Sequence, residues 1–450
     1  MVRQIRIGNG CGFWGDNLDA PVILAEQGNL DYLTLEYLAE LTMSILAAQK
    51  RRDPQAGFAT DFLESMRRLV GLLHAQPQLR IVTNAGGVNP RACAARTRAI
   101  LDEAGLHHLR IGVVLGDDLL PDLASLLEAG HSLANLDTGQ PLSAILDRVV
   151  SANAYLGAAP IVEALRQGAS VVITGRVADA SLTVAPAVFQ FGWSWDDWDR
   201  LSAATVAGHL IECGAQATGG LWINWQEADL ANVGYPYVDL ELDGRFLISK
   251  PPGTGGAVNI ETVSEQLLYE VADPSAYVTP DVVADFTNVE LRQAGADVVE
   301  VTGAKGKPAT DTYKVSIAYQ AGFTAAGMLA IYGADAPEKA QQCSRLIQER
   351  LRRAGFEFDR WVVECLGAGD VVPGVCPSAP RPKEVVLRVA VQDARRAALE
   401  RFSKEFAPLV TSGPPGVTGY TTGRPQVREV FAYWPALISK TAVHPTVELL

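Results

Sequence analysis

The sequence predicts an α/β fold with a mostly parallel sheet covered by helices on both faces, followed by an α+β sandwich domain. Three observations carry that prediction. The first half alternates short β-branched runs with amphipathic stretches, and the second half sets hairpins and strands around two long helices. Hydrophobic residues make up 48% of the chain against 20% charged, a ratio that supports a large buried core and excludes global disorder. Strand and helix in regular succession call for right-handed crossovers and hence parallel strands.

In chain order, Arg6 to Gly8, Tyr32 to Glu36, Arg80 to Asn84, Leu109 to Leu115 and Ser170 to Thr174 read as strands, each short and rich in Val, Ile and Leu. Asp61 to His74, Ala92 to Ala104 and Ile161 to Gln167 place apolar residues at helical spacing between them. Composition shifts near Trp225, which predicts an α/β domain over 1–225 and an α+β domain over 226–450. There, Tyr237 to Leu247 reads as a hairpin on Asp243-Gly244. Lys314 to Tyr319, Ala325 to Tyr332, Trp361 to Cys365 and Val385 to Val391 read as strands, and Ala336 to Ala354 and Ala394 to Phe406 as helices.

The 38 basic and 51 acidic side chains give a net charge of -13, with no basic block beyond short runs such as Lys50-Arg51-Arg52. Nucleic acid is therefore not an expected partner. The charge-free stretch Val315 to Gly333 contains three glycines and reads as two strands around a turn, so no membrane span is expected. The first ten residues lack the apolar core of a signal peptide, and the six cysteines form no CxxC pair. A cytoplasmic protein with reduced thiols, no structural zinc and no metal site is the expectation.

In parallel sheets the ligand crevice lies beyond the carboxyl ends of the strands. The loops there are rich in Gly, Asn and Asp: Gly8 to Asn17, Asn84 to Pro90, Gly116 to Asp118 and Gly175 to Asp179. Asp16, Asn17, Asn84, Asn89 and Arg176 are the substrate-binding candidates they supply. On a helix over Ser202 to Cys213, His209 and Glu212 share one side, as do His209 and Cys213, which makes a general acid/base pair beside a thiol. Arg176 suits a carboxylate or phosphate, and Asp179 a base or an orienting group for His209; an internal Arg176 to Asp179 ion pair is the plain structural alternative. Lys250, Thr254, Gly255 and Gly256 form a glycine-rich loop that offers a cation and backbone donors to phosphate or thioester oxygen, without the spacing of a nucleotide-binding loop. Arg424 sits in a further glycine-containing segment. Asp16, Asp19, Glu36, Asp137 and Asp179 are oxygen ligands in principle but lack metal-site spacing. No HExxH, GxSxG or complete GxGxxG motif is present, so no cofactor is expected.

Across these segments the sequence resembles the acyclic terpene utilisation protein A family, formerly a domain of unknown function. The likeness runs through the Gly10 to Ala20 loop, Asp31 to Glu40, Asn84 to Pro90, Ala152 to Gly157, Thr174 to Ala180 and Gly208 to Gly220. It continues through Ser249 to Gly256, Glu265 to Glu270 with Asp273-Pro274, Pro280 to Val282, and Thr421 to Pro425. Longer members carry a C-terminal ferredoxin-like extension, and the resemblance leads to the expectation that this chain is the short form. The resemblance implies a role in degrading branched acids and terpenoids as coenzyme A thioesters, and it carries over no catalytic residue set.

Together these features point to an enzyme of hydratase or lyase type. In it His209 and Glu212 move a proton, Asp179 assists, Arg176 holds a carboxylate, and coenzyme A enters as part of the substrate. A Cys213-dependent hydrolase or acyltransferase and a non-catalytic binding subunit of an acyl-CoA pathway complex are the alternatives. Eight Trp and twelve Tyr, many in Trp193 to Trp198 and Trp222 to Tyr237, lead to the expectation of a homo-oligomer.

Overall fold

The computed structural model describes residues 3–375, 382–419 and 423–450, so Cys376, Thr421 and Thr422 lie outside the described residues. They divide into two compact units, 1–318 with 433–450 and 319–432.

The first unit contains strands β1 (Gln4–Asn9), β2 (Tyr32–Leu35), β3 (Arg80–Thr83), β4 (Ile111–Leu115), β5 (Val149–Ala154) and β6 (Val171–Thr174). Its helices are α1 (Ala20–Gln27), α2 (Glu40–Arg52), α3 (Asp61–Ala75), α4 (Pro90–Glu103), α5 (Leu123–Glu128), α6 (Ala159–Arg166), α7 (Ser181–Phe191) and α8 (Trp198–Glu212). The parallel strands lie in the order β1, β2, β3, β6, β4. β2 and β6 are buried throughout, as strands covered on both faces must be. Helices α1, α3 and α4 pack on one face and α6, α7 and α8 on the other, because the chain reverses its direction across the sheet after β4. Helix α3 shows the sequence logic: Phe62, Met66, Leu69 and Leu73 form its buried stripe. Helix α8 differs, since residues 201–211 are buried on every side. A small antiparallel sheet of Tyr277–Val278, Val283–Asp285 and Lys305–Lys307 packs against it.

The boundary expected near residue 225 falls inside this unit. The hairpin of β7 (Tyr237–Glu241) and β8 (Phe246–Ser249) pairs antiparallel with β1, Ile7 opposite Val238, and so extends the same sheet. Val298–Thr302 and Glu290–Gly295 continue it on that side, and Thr446–Leu449 pairs with β4 at the far edge, giving ten strands. The composition shift marks a change from parallel to antiparallel pairing within one sheet.

The second unit is α+β. Arg360–Leu366, Glu384–Asp393, the strand Thr312–Tyr332 and Val417–Gly419 form an antiparallel sheet in that order. Helices Ala336–Arg353 and Arg396–Phe402 pack on it. The two strands expected within 314–332 are one strand of 21 residues, and its glycines do not reverse the chain. Gly327 instead makes room for Phe406, whose ring lies 2.3 Å from where a β-carbon would stand. Among the described residues no helix is long and apolar enough to cross a membrane.

One close approach sets the position of α8. A β-carbon on Gly208 would fall 2.8 Å from Ala180 Cα and 2.9 Å from its carbonyl oxygen, so helix and loop meet backbone to backbone. Alanine gains about 1 kcal/mol of helix propensity over glycine, but overpacking against backbone costs about 1–3 kcal/mol. Gly208→Ala is therefore expected to destabilise the protein, read as a lower denaturant midpoint with unchanged slope; a raised midpoint would refute the contact.

Candidate active site

The site grows from the carboxyl ends of the parallel strands. Arg176 follows β6, and its side chain is only 3% exposed. Nη1 meets Asp179 Oδ1 at 2.9 Å and Leu38 O at 2.8 Å, with Glu36 Oε1 at 3.9 Å, while the guanidinium lies 4.1 Å from the centre of the Tyr155 ring. Its Nε is buried without a hydrogen-bond partner. The internal ion pair with Asp179 is thus formed. Asp117, after β4, fixes the turn from below: its Oδ2 accepts from Arg176 N and from Asn153 Nδ2, both at 2.8 Å. Burial pushes the Asp117 carboxyl up to about 7 against the pull of these donors.

The pair predicted on α8 forms. His209 Nδ1 lies 3.0 Å from Glu212 Oε1, with the His209 side chain 1% exposed and that of Glu212 11%. The Tyr277 and Phe286 rings enclose the imidazole at 5.5 Å between centres. Burial pushes Glu212 up, the bond to His209 pulls it down, and the balance stands at about 7. For His209, burial lowers the proton affinity but the Glu212 bond and charge outweigh it and raise it. Only Glu212 of the two lines the cavity, and His209 stands behind it. The end of α8 is held by Asn9 at the end of β1, whose Nδ2 donates to Ile211 O at 2.8 Å and Glu212 O at 2.9 Å. Gln266 Nε2 donates to His209 O at 2.8 Å.

The cavity beyond these groups measures about 570 Å³ and is shaped by Arg176, Asp179, Glu212, Glu40, Tyr155 and Lys314, with apolar walls from Leu38, Val278 and Leu437. Glu40 Oε1 accepts from Tyr155 OH at 2.6 Å and from Lys314 Nζ at 3.1 Å. Burial raises the Glu40 carboxyl, yet these two partners overcome it and bring the value down to about 2. Glu40, Tyr155 and Lys314 were not among the sequence candidates. Lys314 lies far along the chain, and Tyr155 follows β5, a strand whose Ser151 and Asn153 hide its pattern.

The other candidates lie elsewhere. Asn84 is fully buried and holds Glu36 and the backbone N–H of Tyr37. Asn89 donates to Pro54 O and Ala56 O, and Asn17 accepts from Asp19 N. Asp16 accepts from Gly12 N, Asn17 N and Tyr235 OH. Lys250 is buried on Asp297 at 3.0 Å and Thr254 O at 2.8 Å. Thr254 Oγ1 bonds Pro251 O, Gly255 N bonds Asn232 O, and Gly256 presses on Thr218 O. That loop is internally satisfied and does not line the cavity, and Arg424 is an exposed residue of the second unit. Cys213 caps α8 outside the cavity lining, where burial pushes its thiol up to about 12. Of the five oxygen-ligand candidates, Glu36 and Asp179 meet around Arg176; among the described residues no group of three or more His, Cys, Asp and Glu side chains is arranged to hold a metal ion.

Fold and site define an α/β protein with a carboxylate-lined cavity at the carboxyl edge of its parallel strands. The chain belongs to the family described as acyclic terpene utilisation family protein AtuA, whose model matches residues 5–449, and its role lies in acyclic terpene utilisation. No curated protein and no solved structure matches it.

Asp117 yields a stability test. Its native value of about 7 lies above the roughly 3.9 of an unfolded Asp, so the stability it confers is complete below about pH 4 and is lost as pH rises through 7. Asp117→Asn stays neutral and is expected to flatten that decline, measured as the difference in Tm between the two proteins across pH 4 to 8. A constant difference would mean that Asp117 is ionised in the fold.

Proposed function

We propose that this chain is an enzyme of branched-acid or terpenoid breakdown that adds or removes water, or cleaves a carbon–carbon bond, beside the carbonyl of an acyl thioester. Glu212 carries the reading. Its carboxyl lines the cavity, leans on buried His209, and keeps Oε2 free of hydrogen bonds, with a value near 7. Such a group gives or takes a proton near neutral pH, which is the requirement for general acid/base catalysis.

The remaining lining supports the substrate class. A volume near 570 Å³ suits a small molecule, and Leu38, Ala39, Val278, Pro280 and Leu437 present apolar surface to a branched hydrocarbon. Arg176 and Lys314 face Glu40, Asp179, Glu212 and Glu270, so carboxylates already outnumber cations around the cavity. A further negative charge is unfavourable there, which favours the neutral carbonyl of a coenzyme A thioester over the free acid. Arg176 and Lys314 then serve the carbonyl end, and Asp179 holds Arg176 in place. The high value of the Cys213 thiol argues against covalent catalysis. A carboxyl poised near neutrality argues against a purely structural subunit.

Calorimetry is expected to show binding of a branched acyl-CoA and weaker binding of the matching acid; preference for the free acid would overturn the thioester assignment. With a turned-over thioester, Glu212→Gln is expected to lower the rate about 100 to 10,000-fold, and Cys213→Ala to have little effect. The kcat/KM profile should inflect near pH 7 as a property of the His209–Glu212 pair. Because His209 holds Glu212 down, His209→Ala should move that inflection to higher pH. A rate unaffected by Glu212→Gln would remove the proposal.

A further inference from the structure

We propose that a second pocket, bounded by the loops after β3 and β4 and by α2, is a binding site for a short aliphatic carboxylate. In a parallel sheet the loops beyond the carboxyl ends of the strands form the ligand crevices. The main cavity uses the segments after β2, β5 and β6, whereas the loops after β3 and β4 supply this separate pocket. Val88 comes from the first of these loops, Asp118 from the second, Lys50 and Arg51 from α2, and Val150 from β5. None of these residues lines the main cavity. The Asn84 to Pro90 loop, whose asparagines serve the fold, thus contributes to a ligand pocket through Val88.

The walls define the apolar part of the ligand. Ala47, Val88 and Val150 are buried side chains of the lining, and exposed Leu120 completes it. The pocket measures about 240 Å³. At about 30 Å³ for each water-sized group, it takes roughly eight non-hydrogen atoms. That is room for a short acid and far too little for a coenzyme A thioester.

Lys50 defines the polar end. A β-carbon on Gly57 would stand 2.9 Å from Lys50 Cβ and 3.0 Å from Val88 Cγ2, so loop backbone closes over the base of the lysine. That backbone is tied in place: Val88 N donates to Gly57 O at 2.9 Å, and Asn89 Nδ2 to Pro54 O at 2.9 Å and Ala56 O at 2.8 Å. Lys50 Nζ donates to Val88 O at 2.6 Å. An ammonium carries three donors, so two remain for a ligand. Asp118 Oδ2 stands 4.0 Å from Nζ, beyond hydrogen-bond reach, while Asp118 Oδ1 accepts from Leu120 N at 3.1 Å.

Charge sets the class of ligand. Carboxylates outnumber cations around the main cavity, but here Lys50 and Arg51 share the lining with one carboxylate, Asp118. Apolar walls with a cation at one end fit an anion that carries a hydrocarbon tail, and a carboxylate takes charge-assisted hydrogen bonds from an ammonium. The assignment is independent of the reaction proposed for Glu212.

Isocaproate, with a branched tail and a carboxylate within that size, is the probe. It is titrated at about pH 7, where it is ionised, into protein labelled at the Val and Leu methyl groups and followed by NMR. Saturable shifts are expected at Val88, Val150 and Leu120. Binding is expected to weaken about 10-fold or more for the neutral isocaproamide and in Lys50→Met, since each removes a charged hydrogen bond. No saturable shift at these three residues, or shifts confined to Leu38, Val278 and Leu437 of the main cavity, would overturn the site. Equal affinity for the amide would overturn the carboxylate assignment even if Lys50→Met fails to fold. The titration involves no turnover, so its failure leaves the reading of Glu212 standing, and an inactive Glu212→Gln has no bearing on it.

Discussion

The guanidinium of Arg176 is the charge around which the first unit is arranged. A buried cation is tolerated only with partners, and losing one member of a buried pair costs about 3–5 kcal/mol. Arg176 draws those partners from three places: Asp179 in its own loop, Leu38 O and Glu36 after β2, and the Tyr155 ring after β5. Its backbone N–H is held by Asp117 after β4. The strand ends that meet there form the floor of the cavity, so the site's place follows from the solvation needs of one side chain.

A second set of contacts brings α8 to that floor. Asn9 satisfies two carbonyls in its last turn, Thr34 Oγ1 donates to Asn9 Oδ1 at 3.1 Å, and Gly208 lets the helix approach Ala180. Asp281 accepts from Ala158 N at 2.8 Å and Ser181 Oγ at 2.7 Å, which places one carboxylate at the amino ends of α6 and α7, where helix dipoles favour negative charge. Burial raises the proton affinity of that carboxyl, so its two donors work against the low-polarity surroundings. The His209–Glu212 pair therefore sits on packed secondary structure.

The parallel strands and the helical spacing of His209 and Glu212 were legible in the sequence because both depend on local periodicity. The partners of Arg176 were only partly legible. Asp179 lies three residues away, but Glu36, Tyr155, Glu40 and Lys314 come together through chain reversals that no local pattern encodes. The glycine and asparagine loops misled for a different reason. A loop that satisfies its own backbone and one that offers backbone to a ligand use the same residues, and in Asn84, Asn89, Asp16 and the Lys250 to Gly256 loop the internal bonds prevail. The long strand through Gly327 was divided because a glycine that yields space to Phe406 looks in sequence like one that turns.

The pairing of Thr446–Leu449 with β4 has a consequence for how the protein is made. Its partners are more than three hundred positions apart, so during synthesis β4 leaves the ribosome with one edge open while the remaining sheet is translated. Domains tend to fold as they emerge, and an unpaired strand edge is a template for intermolecular pairing. β4 thus gains its second neighbour only when a segment more than three hundred positions later has been made, and until then its open edge is the one exposed to intermolecular pairing.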